Sequence, residues 1–248
     1  MADDSAKNLP PLAECKARIF QYKESEFNKG KSTRTVYPRN FSIAAVLILL
    51  VFKNNKFYLR LTRRSENLRS HKGQVVFPGG KNDDSDQDIV ETALREAQEE
   101  IGLPKESVEI ITVLSPSWIR RNKVYPVLGF LKHGFHVKMN KFEVDAVFDA
   151  PLEFFLSKEH HFPSSFDTGM GPFNYHAFSY QAMSSDVLSG SETSFIIFGF
   201  TAGFCVTIAI IVMNRLPPFQ LHDIPKDYNL QAYMNWLSKA SEYCTSKL

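Results

Sequence analysis

FPGGKNDDSDQDIVETALREAQEEIGL, residues Phe77–Leu103, runs from a strand-like end through a glycine turn into a helix. Glu96, Glu99 and Glu100 fall at i, i+3 and i+4, the spacing that makes side chains neighbours on a helix surface. Carboxylates that close repel one another unless something positive stands between them. A hard cation such as Mg²⁺ or Mn²⁺, which prefers oxygen ligands, meets that need. A solvated acidic face is the commoner use of such a cluster, so its flanks have to decide.

The helix follows from its own residues. Ser85 is placed to cap its start, with Asp88 three residues on. Asp86 and Asp88 suit the positive end of the helix dipole. Val90, Ala93, Leu94, Ala97 and Ile101 recur at helical spacing and form one apolar stripe. At about 100° per residue, the three glutamates lie roughly opposite that stripe. Gly102 supplies a stop and Pro104 prevents continuation. Just upstream, Arg63, Arg64, Arg69, His71 and Lys72 gather cationic and titratable groups. Guanidinium forks match phosphate oxygens in pairs, although a basic strand end without a ligand is a common alternative.

REAQEEIGL, Arg95–Leu103, resembles the core of the Nudix box, in which a glycine, five residues, a glutamate and seven residues precede R-E-U-x-E-E-x-G-U, with U apolar. Every fixed position of that last part is filled. The front half departs. Counted back from Arg95, the box glycine falls at Lys81 and the first glutamate at Gln87, while Gly80 sits one residue early. A loop one residue longer is expected of one Nudix branch, the coenzyme A diphosphatases. LTRRSENLRSHKGQVVFPGGKNDDSD, Leu61–Asp86, resembles the coenzyme A motif of that branch, matching at Thr62, Arg64, Ser65, Leu68, Arg69, Gly73, Val75, Phe77, Pro78, Gly79, Gly80, Lys81, Asp83 and Asp86. Further on, Glu143, Val144, Phe148, Pro151 and Leu152 resemble the branch's later motif.

Alternating strands and helices favour an α/β class, and the resemblance implies a mixed β-sheet in an α/β/α sandwich and diphosphate hydrolysis assisted by Mg²⁺ or Mn²⁺. Glu96 and Glu100 are the expected direct metal ligands, with Glu99 as third ligand or water activator. Arg95 resembles the family arginine that orients a carboxylate such as Glu99. For the general base Glu99 leads and Glu143 is second, a structural role for Glu143 standing beside it. Arg64, Arg69 and Lys81 are the expected substrate contacts, since CoA carries a diphosphate and a 3′-phosphate. Gly79 and Gly80 let backbone approach a metal or phosphate closely. CoA and CoA esters are the implied substrates, giving adenosine 3′,5′-bisphosphate and 4′-phosphopantetheine or its acyl form. Two rivals remain: a Nudix hydrolase of another nucleoside diphosphate derivative such as NADH or ADP-ribose, and a non-catalytic CoA-binding module, against which the complete glutamate set counts.

The rest of the chain fits one enzyme domain. Its 248 residues can bury a substantial core. Lys plus Arg number 29 against 27 for Asp plus Glu, so no global field argues for nucleic acid. Cys15, Cys205 and Cys244 lack metal-ligand spacing and offer no disulfide framework. MADDSAKNLPPLAE, Met1–Glu14, has no apolar core of a secretory signal. Ser246-Lys247-Leu248 is the tripeptide read as a peroxisomal import address at a free C-terminus, which predicts a peroxisomal import receptor as partner.

Ser42–Phe52 reads as a buried strand, with Asn54-Asn55 as a hairpin turn into Lys56–Leu61. Gln74–Phe77, Val108–Leu114 and Val124–Leu131 read as further strands, with Ser115–Lys123 as a connection. Leu12–Tyr22 reads as a short helix and Arg34–Asn40 as an extended lead-in. The uncharged run between Glu192 and Arg215 is long enough to span a bilayer. The glycines in it favour instead a strand Phe195–Gly199 followed by a helix capped by Thr201 and running towards Asn214, so membrane insertion is not expected. Alternating aromatics in Phe173–Tyr180 fit a strand's core face, with stacking on adenine or a pantetheine groove as the alternative. The expected division is an N-terminal extension with a short helix (1–35), a Nudix domain (36–215, box 80–103) and a C-terminal extension (216–248).

Overall fold

Strand β1 (Ser42–Lys53) is apolar on both faces, the pattern of a strand covered on both sides. The computed structural model describes residues 13–15, 17, 18, 42–119, 122–167, 171–222, 224, 229–235 and 237, and shows what covers it. Ala45, Leu47, Leu49 and Val51 pack with Ala93, Ala97 and Ile101 of helix α1 (Ile89–Ile101). Ile48 and Leu50, pointing the other way, pack with Ala202, Cys205, Val206 and Ala209 of helix α2 (Gly199–Met213). One sheet therefore carries a helix on each face, the expected α/β/α sandwich.

Around β1 stand β2 (Lys56–Arg64), β3 (Val75–Val76), β4 (Gly79–Lys81), β5 (Val108–Val113), β6 (Ser117–Ile119), β7 (Asn122–Leu131) and β8 (Val144–Pro151). The main path of this 9-stranded sheet runs β11-β8-β2-β1-β7-β5, with β11 (Val187–Ser189) at one edge. β1 and β7 are parallel and the other pairs antiparallel, so the sheet is mixed. A second, 3-stranded sheet is built from β12 (Ser194–Phe198), β10 (Pro172–Gln181) and β9 (His161–Asp167). Asn54 and Asn55 both take positive φ, 51° and 58°, as a two-residue hairpin turn between twisted strands requires.

Some elements differ from expectation, and others fill in what it left open. The connection Ser115–Lys123 contains β6, which folds back on β7. The later motif, with Val144 and Phe148, lies on a buried central strand, β8. The aromatic stretch is β10, which buries Phe178 and Tyr180 but leaves Phe173 exposed. α2 begins at Gly199 rather than after Thr201, because the Thr201 hydroxyl is spent on the Val75 carbonyl at 3.1 Å. Its end at Asn214, in the left-handed region, is as expected. The uncharged run is thus split between β12 and α2, and among the described residues no helix is long and apolar enough to cross a membrane.

Beyond residue 215, Leu216, Ile224, Tyr233 and Leu237 join the core around α2, and so does Cys15 from the other end of the chain. Residues 13–15, 17 and 18 are helical. The remainder of Leu12–Tyr22, the lead-in Arg34–Asn40, Cys244 and Ser246-Lys247-Leu248 lie outside the described residues.

Candidate active site

How α1 starts, stops and packs sets the glutamates. Asp88 caps it, accepting from the Glu91 N–H at 2.8 Å, and Glu91 reaches back to the Gln87 N–H at 2.8 Å. Ser85, the expected cap, donates instead to Asp83 at 2.7 Å, inside a turn closed from the Asp86 N–H to the Asp83 carbonyl. At the far end Gly102 takes φ 71° and its N–H bonds the Gln98 carbonyl at 3.0 Å, which ends the helix as expected. Ala93 and Ala97 are fully buried, and their small size lets the helix lie close on the sheet.

The two glycines of β4 fit tight places, Gly80 under the helix and Gly79 against β1. A Cβ on Gly80 would stand 2.5 Å from the Glu96 carboxylate, and one on Gly79 would run into the Ala45 carbonyl. The Gly79 N–H donates to Glu100 at 3.2 Å. Glu100 is only 3% exposed. Burial pushes it up to about 8, against the opposing charge of Arg64 and the Gly79 bond, and with Glu96 and Glu143 adding to the rise. Burial likewise raises Glu96, Arg95 opposing and Glu99 and Glu143 reinforcing.

Arg95 is the fixed point beside them. Its Nε and Nη2 grip Asp86 at 2.8 and 3.0 Å, and Nη2 also donates to the Lys81 carbonyl at 2.9 Å. Nη1 donates to Glu96 at 3.1 Å and to Glu99 at 3.3 Å. The guanidinium fork holds the Asp86 carboxyl far below the usual carboxylate range. Arg95 therefore does touch Glu99, but its principal partner is Asp86. Asp86 matches a motif position, yet nothing in its spacing pointed to a clamp on an arginine nine residues away.

Glu143 arrives from a distant loop. The Asn140 N–H bonds the Glu100 carbonyl at 2.9 Å, the Glu143 N–H bonds the Asn140 carbonyl at 3.0 Å, and the Ser65 N–H bonds the Glu143 carbonyl at 2.8 Å. These bonds tie together the end of α1, the end of β2 and the loop before β8. They bring Glu143 close enough for its charge to act on Glu96 and Glu100. Arg64, at the end of β2, acts on Glu100 as well, and its Nε is buried without a hydrogen-bond partner. The neighbouring Arg63 points away, to Asp145 at 3.0 Å and Glu66 at 2.7 Å.

The structure thus gathers Glu96, Glu100, Glu143 and Arg64, with Arg95 behind them. The side chains of Arg69 and Lys81 are exposed, and Lys81 serves the site through its carbonyl. Glu99, with 54% of its side chain exposed, turns to Arg95. The donor set is carboxylate oxygen, which suits a hard divalent cation. As the side chains stand, no group of three or more His, Cys, Asp or Glu among the described residues could hold a metal ion. Glu96 and Glu99 face Arg95 while Glu100 faces Gly79 and Arg64, so the expected trio of ligands is not assembled in this arrangement.

Buried Glu100, half-buried Glu96 and exposed Glu99 thus share one helix with Arg95, laid against a mixed sheet. The NUDIX domain family matches residues 42–159. The mouse (Mus musculus) protein named peroxisomal coenzyme A diphosphatase NUDT7 is 37% identical over 185 residues, covering 73% of this chain and 76% of the mouse chain. Nudix hydrolase 15, mitochondrial, of Arabidopsis thaliana is 39% identical over 188 residues, covering 74% of this chain and 62% of that one. Among solved structures, a C. elegans Ap4A hydrolase binary complex is similar at 23% identity and a TM-score of 0.38, covering 45% of this chain and 81% of that one. The chain belongs to the NUDIX family and is a Nudix hydrolase. Enzymes of this family generally need divalent metal ions.

Proposed function

We propose that this chain is a coenzyme A diphosphatase that hydrolyses CoA and CoA esters to adenosine 3′,5′-bisphosphate and 4′-phosphopantetheine or its acyl form. One observation carries this. Arg64, at a position of the coenzyme A motif, acts on Glu100 with its Nε buried and unpartnered. A buried donor left unmade is costly, and a phosphate oxygen would satisfy it. Similarity to the mouse protein, whose name carries this activity, supports the same conclusion.

Glu96, Glu99 and Glu100 are proposed to hold Mg²⁺ or Mn²⁺, which when bound supplies charge neutralisation at the phosphoryl oxygens and activation of water. Arg95, itself fixed by Asp86, positions Glu96 and Glu99. Glu99 is the first candidate for taking the water's proton and Glu143 the second. Arg64 binds the diphosphate, with Arg69 and Lys81 reaching it from exposed positions. Residues 36–215 are the proposed catalytic domain, flanked by the extensions 1–35 and 216–248. A peroxisomal location, with delivery by an import receptor, is part of the proposal. The mouse relative is named peroxisomal and the Arabidopsis one mitochondrial, so a fluorescent fusion that leaves Ser246-Lys247-Leu248 free is the test.

For the activity, purified protein with Mg²⁺ or Mn²⁺ is offered CoA, 3′-dephospho-CoA, NADH and ADP-ribose, and products are identified by mass. Turnover of CoA to the two monophosphate products, ahead of the other compounds, is expected. Preference for 3′-dephospho-CoA or NADH would remove the coenzyme A assignment and leave a hydrolase of another nucleoside diphosphate derivative.

A further inference from the structure

Residues 132–140 cross the end of α1 as an extended strap. Phe135, Val137 and Met139, all half-buried, turn inwards and pack against the core on the α1 side of the sheet, while His136 and Lys138 between them are exposed. Two anchors hold its far end. The Lys132 N–H bonds the Ser107 carbonyl at 2.8 Å, and the Phe135 ring lies 5.2 Å from the Arg60 guanidinium. Arg60 is itself gripped by Asp149 at 2.8 and 3.1 Å. The near end meets the helix, where the Lys138 N–H bonds the Ile101 carbonyl at 3.0 Å.

Asn140 finishes the strap, and three of its groups are engaged at once. Its N–H donates to the Glu100 carbonyl at 2.9 Å. Its carbonyl accepts from the Glu143 N–H at 3.0 Å and the Val144 N–H at 2.9 Å. Its side-chain Oδ1 accepts from the Phe142 N–H at 3.2 Å. One residue thus joins the backbone of Glu100 to that of Glu143. The side-chain bond is an Asx turn, the local device by which asparagine holds a chain reversal. Stability gives little reason for it here. Phe142 is 83% exposed and Lys141 is exposed too, so the tip of the turn buries nothing. Among the described residues nothing bonds the Glu143 carboxylate. Where that carboxylate stands therefore depends on its own backbone, which the turn fixes, and its charge acts on Glu96 and Glu100.

We propose that Asn140 is a positioning residue of the hydrolase, its side-chain acceptor setting the Glu143 carboxylate beside Glu96 and Glu100 for the reaction. This rests on the reading above that gives Glu143 a part in moving the water's proton, and not on which diphosphate is cleaved. Asn140 itself touches neither substrate nor metal in this role.

The full chain is assayed with Mg²⁺ on CoA, 3′-dephospho-CoA, NADH and ADP-ribose, and kcat and KM are compared on the compound turned over best. Asn140→Ala keeps the backbone bonds and removes the side-chain acceptor. It should lower kcat about tenfold and leave KM within about twofold, the mark of a misplaced group rather than a lost substrate contact. Asn140→Ser, which restores a short acceptor, should recover most of the loss. Lys141→Ala, at the same turn, should keep the kcat of the unaltered chain. In a Glu143→Gln background, Asn140→Ala should change kcat by less than about twofold, because the group it positions is gone. Equal losses with and without Glu143 would overturn the proposal. So would full kcat in Asn140→Ala, or a Glu143→Gln variant as active as the unaltered chain. Should Asn140→Ala melt below the assay temperature, Asn140→Gln, whose longer side chain cannot close the same turn, takes its place in each comparison. Preference for NADH or ADP-ribose over CoA would overturn the coenzyme A assignment, and the Asn140 comparison is then read on that compound.

Discussion

Glu100 is buried and feels the charge of half-buried Arg64, the carboxyl pushed up to about 8 by burial and the guanidinium Nε without a partner. Glu100 accepts from the Gly79 N–H, whereas the Arg64 Nε has no partner, so the buried donor is what an incoming anion would satisfy. Glu100→Gln and Glu96→Gln are each expected to abolish CoA hydrolysis in a mass-resolved assay, with melting temperature kept, because burial already favours the neutral carboxyl and the amide has the same shape. Full turnover by either variant would sink its assignment as a ligand. Asp86→Ala should lower kcat by about a hundredfold, because it frees the arginine that fixes Glu96 and Glu99. Gly80→Ala separates position from stability. The added methyl meets first the Glu96 carboxylate, the far end of a side chain that can shift off Arg95, so the fold should hold while activity drops by a similar factor. Loss of folding in that variant, seen by circular dichroism, would mean that the helix rather than the side chain gives way.

At the scale of elements, α1 was legible because its signals are local: apolar periodicity, a glycine stop and a proline beyond it. Its start was not. Ser85 and Asp88 each have an acidic residue three positions on, and either could cap. The choice fell to Asp88 because Asp86 is held by Arg95 and Ser85 is drawn into the turn with Asp83. Asp88→Ala should therefore cost about 1 kcal/mol in denaturant unfolding, while Ser85→Ala should cost under roughly 0.5 kcal/mol. The reverse order would return the cap to Ser85. α2 shows the opposite limit of local reading. Its hydropathy resembled a membrane span, and only the break at Gly199 and the docking of Thr201 on Val75 divide the run into strand and helix. The aromatic alternation of β10 was legible, whereas β9 and β11 carry too few alternating apolar residues to announce themselves.

Across the whole molecule, the small sheet and the segment after α2 meet through imidazoles. His161 Nε2 and His176 Nδ1 stand 3.0 Å apart, Phe219 stacks on His161 at 3.8 Å, and His222 lies 4.3 Å from His176. Burial, with the charge of His222 adding, pushes His161 down to about 4 and His176 down to about 3. Both are neutral in the fold and would bind protons near 6.5 once unfolded. Their contribution is complete above that value and is lost as pH falls from about 6.5 towards 4, at a slope of at most about 1.4 kcal/mol per pH unit for each imidazole. Thermal melts at pH 7 and pH 5 should show this loss, and His176→Gln should flatten it; an unchanged slope would mean that other groups govern acid unfolding. By itself the sequence determined the glutamate-bearing helix, the glycine turn before it, the hairpin at Asn54-Asn55 and the α/β class. Capping, turn chemistry and hydrophobic period act over a few residues. Only the tertiary structure decided that Glu143 and Arg64 would join Glu96 and Glu100, that Asp86 would anchor Arg95, and that Asn140 would fasten the loop of Glu143 to the end of the helix. Those neighbours are made by strand register and loop-to-helix hydrogen bonds between segments far apart in the chain, where no local spacing records them.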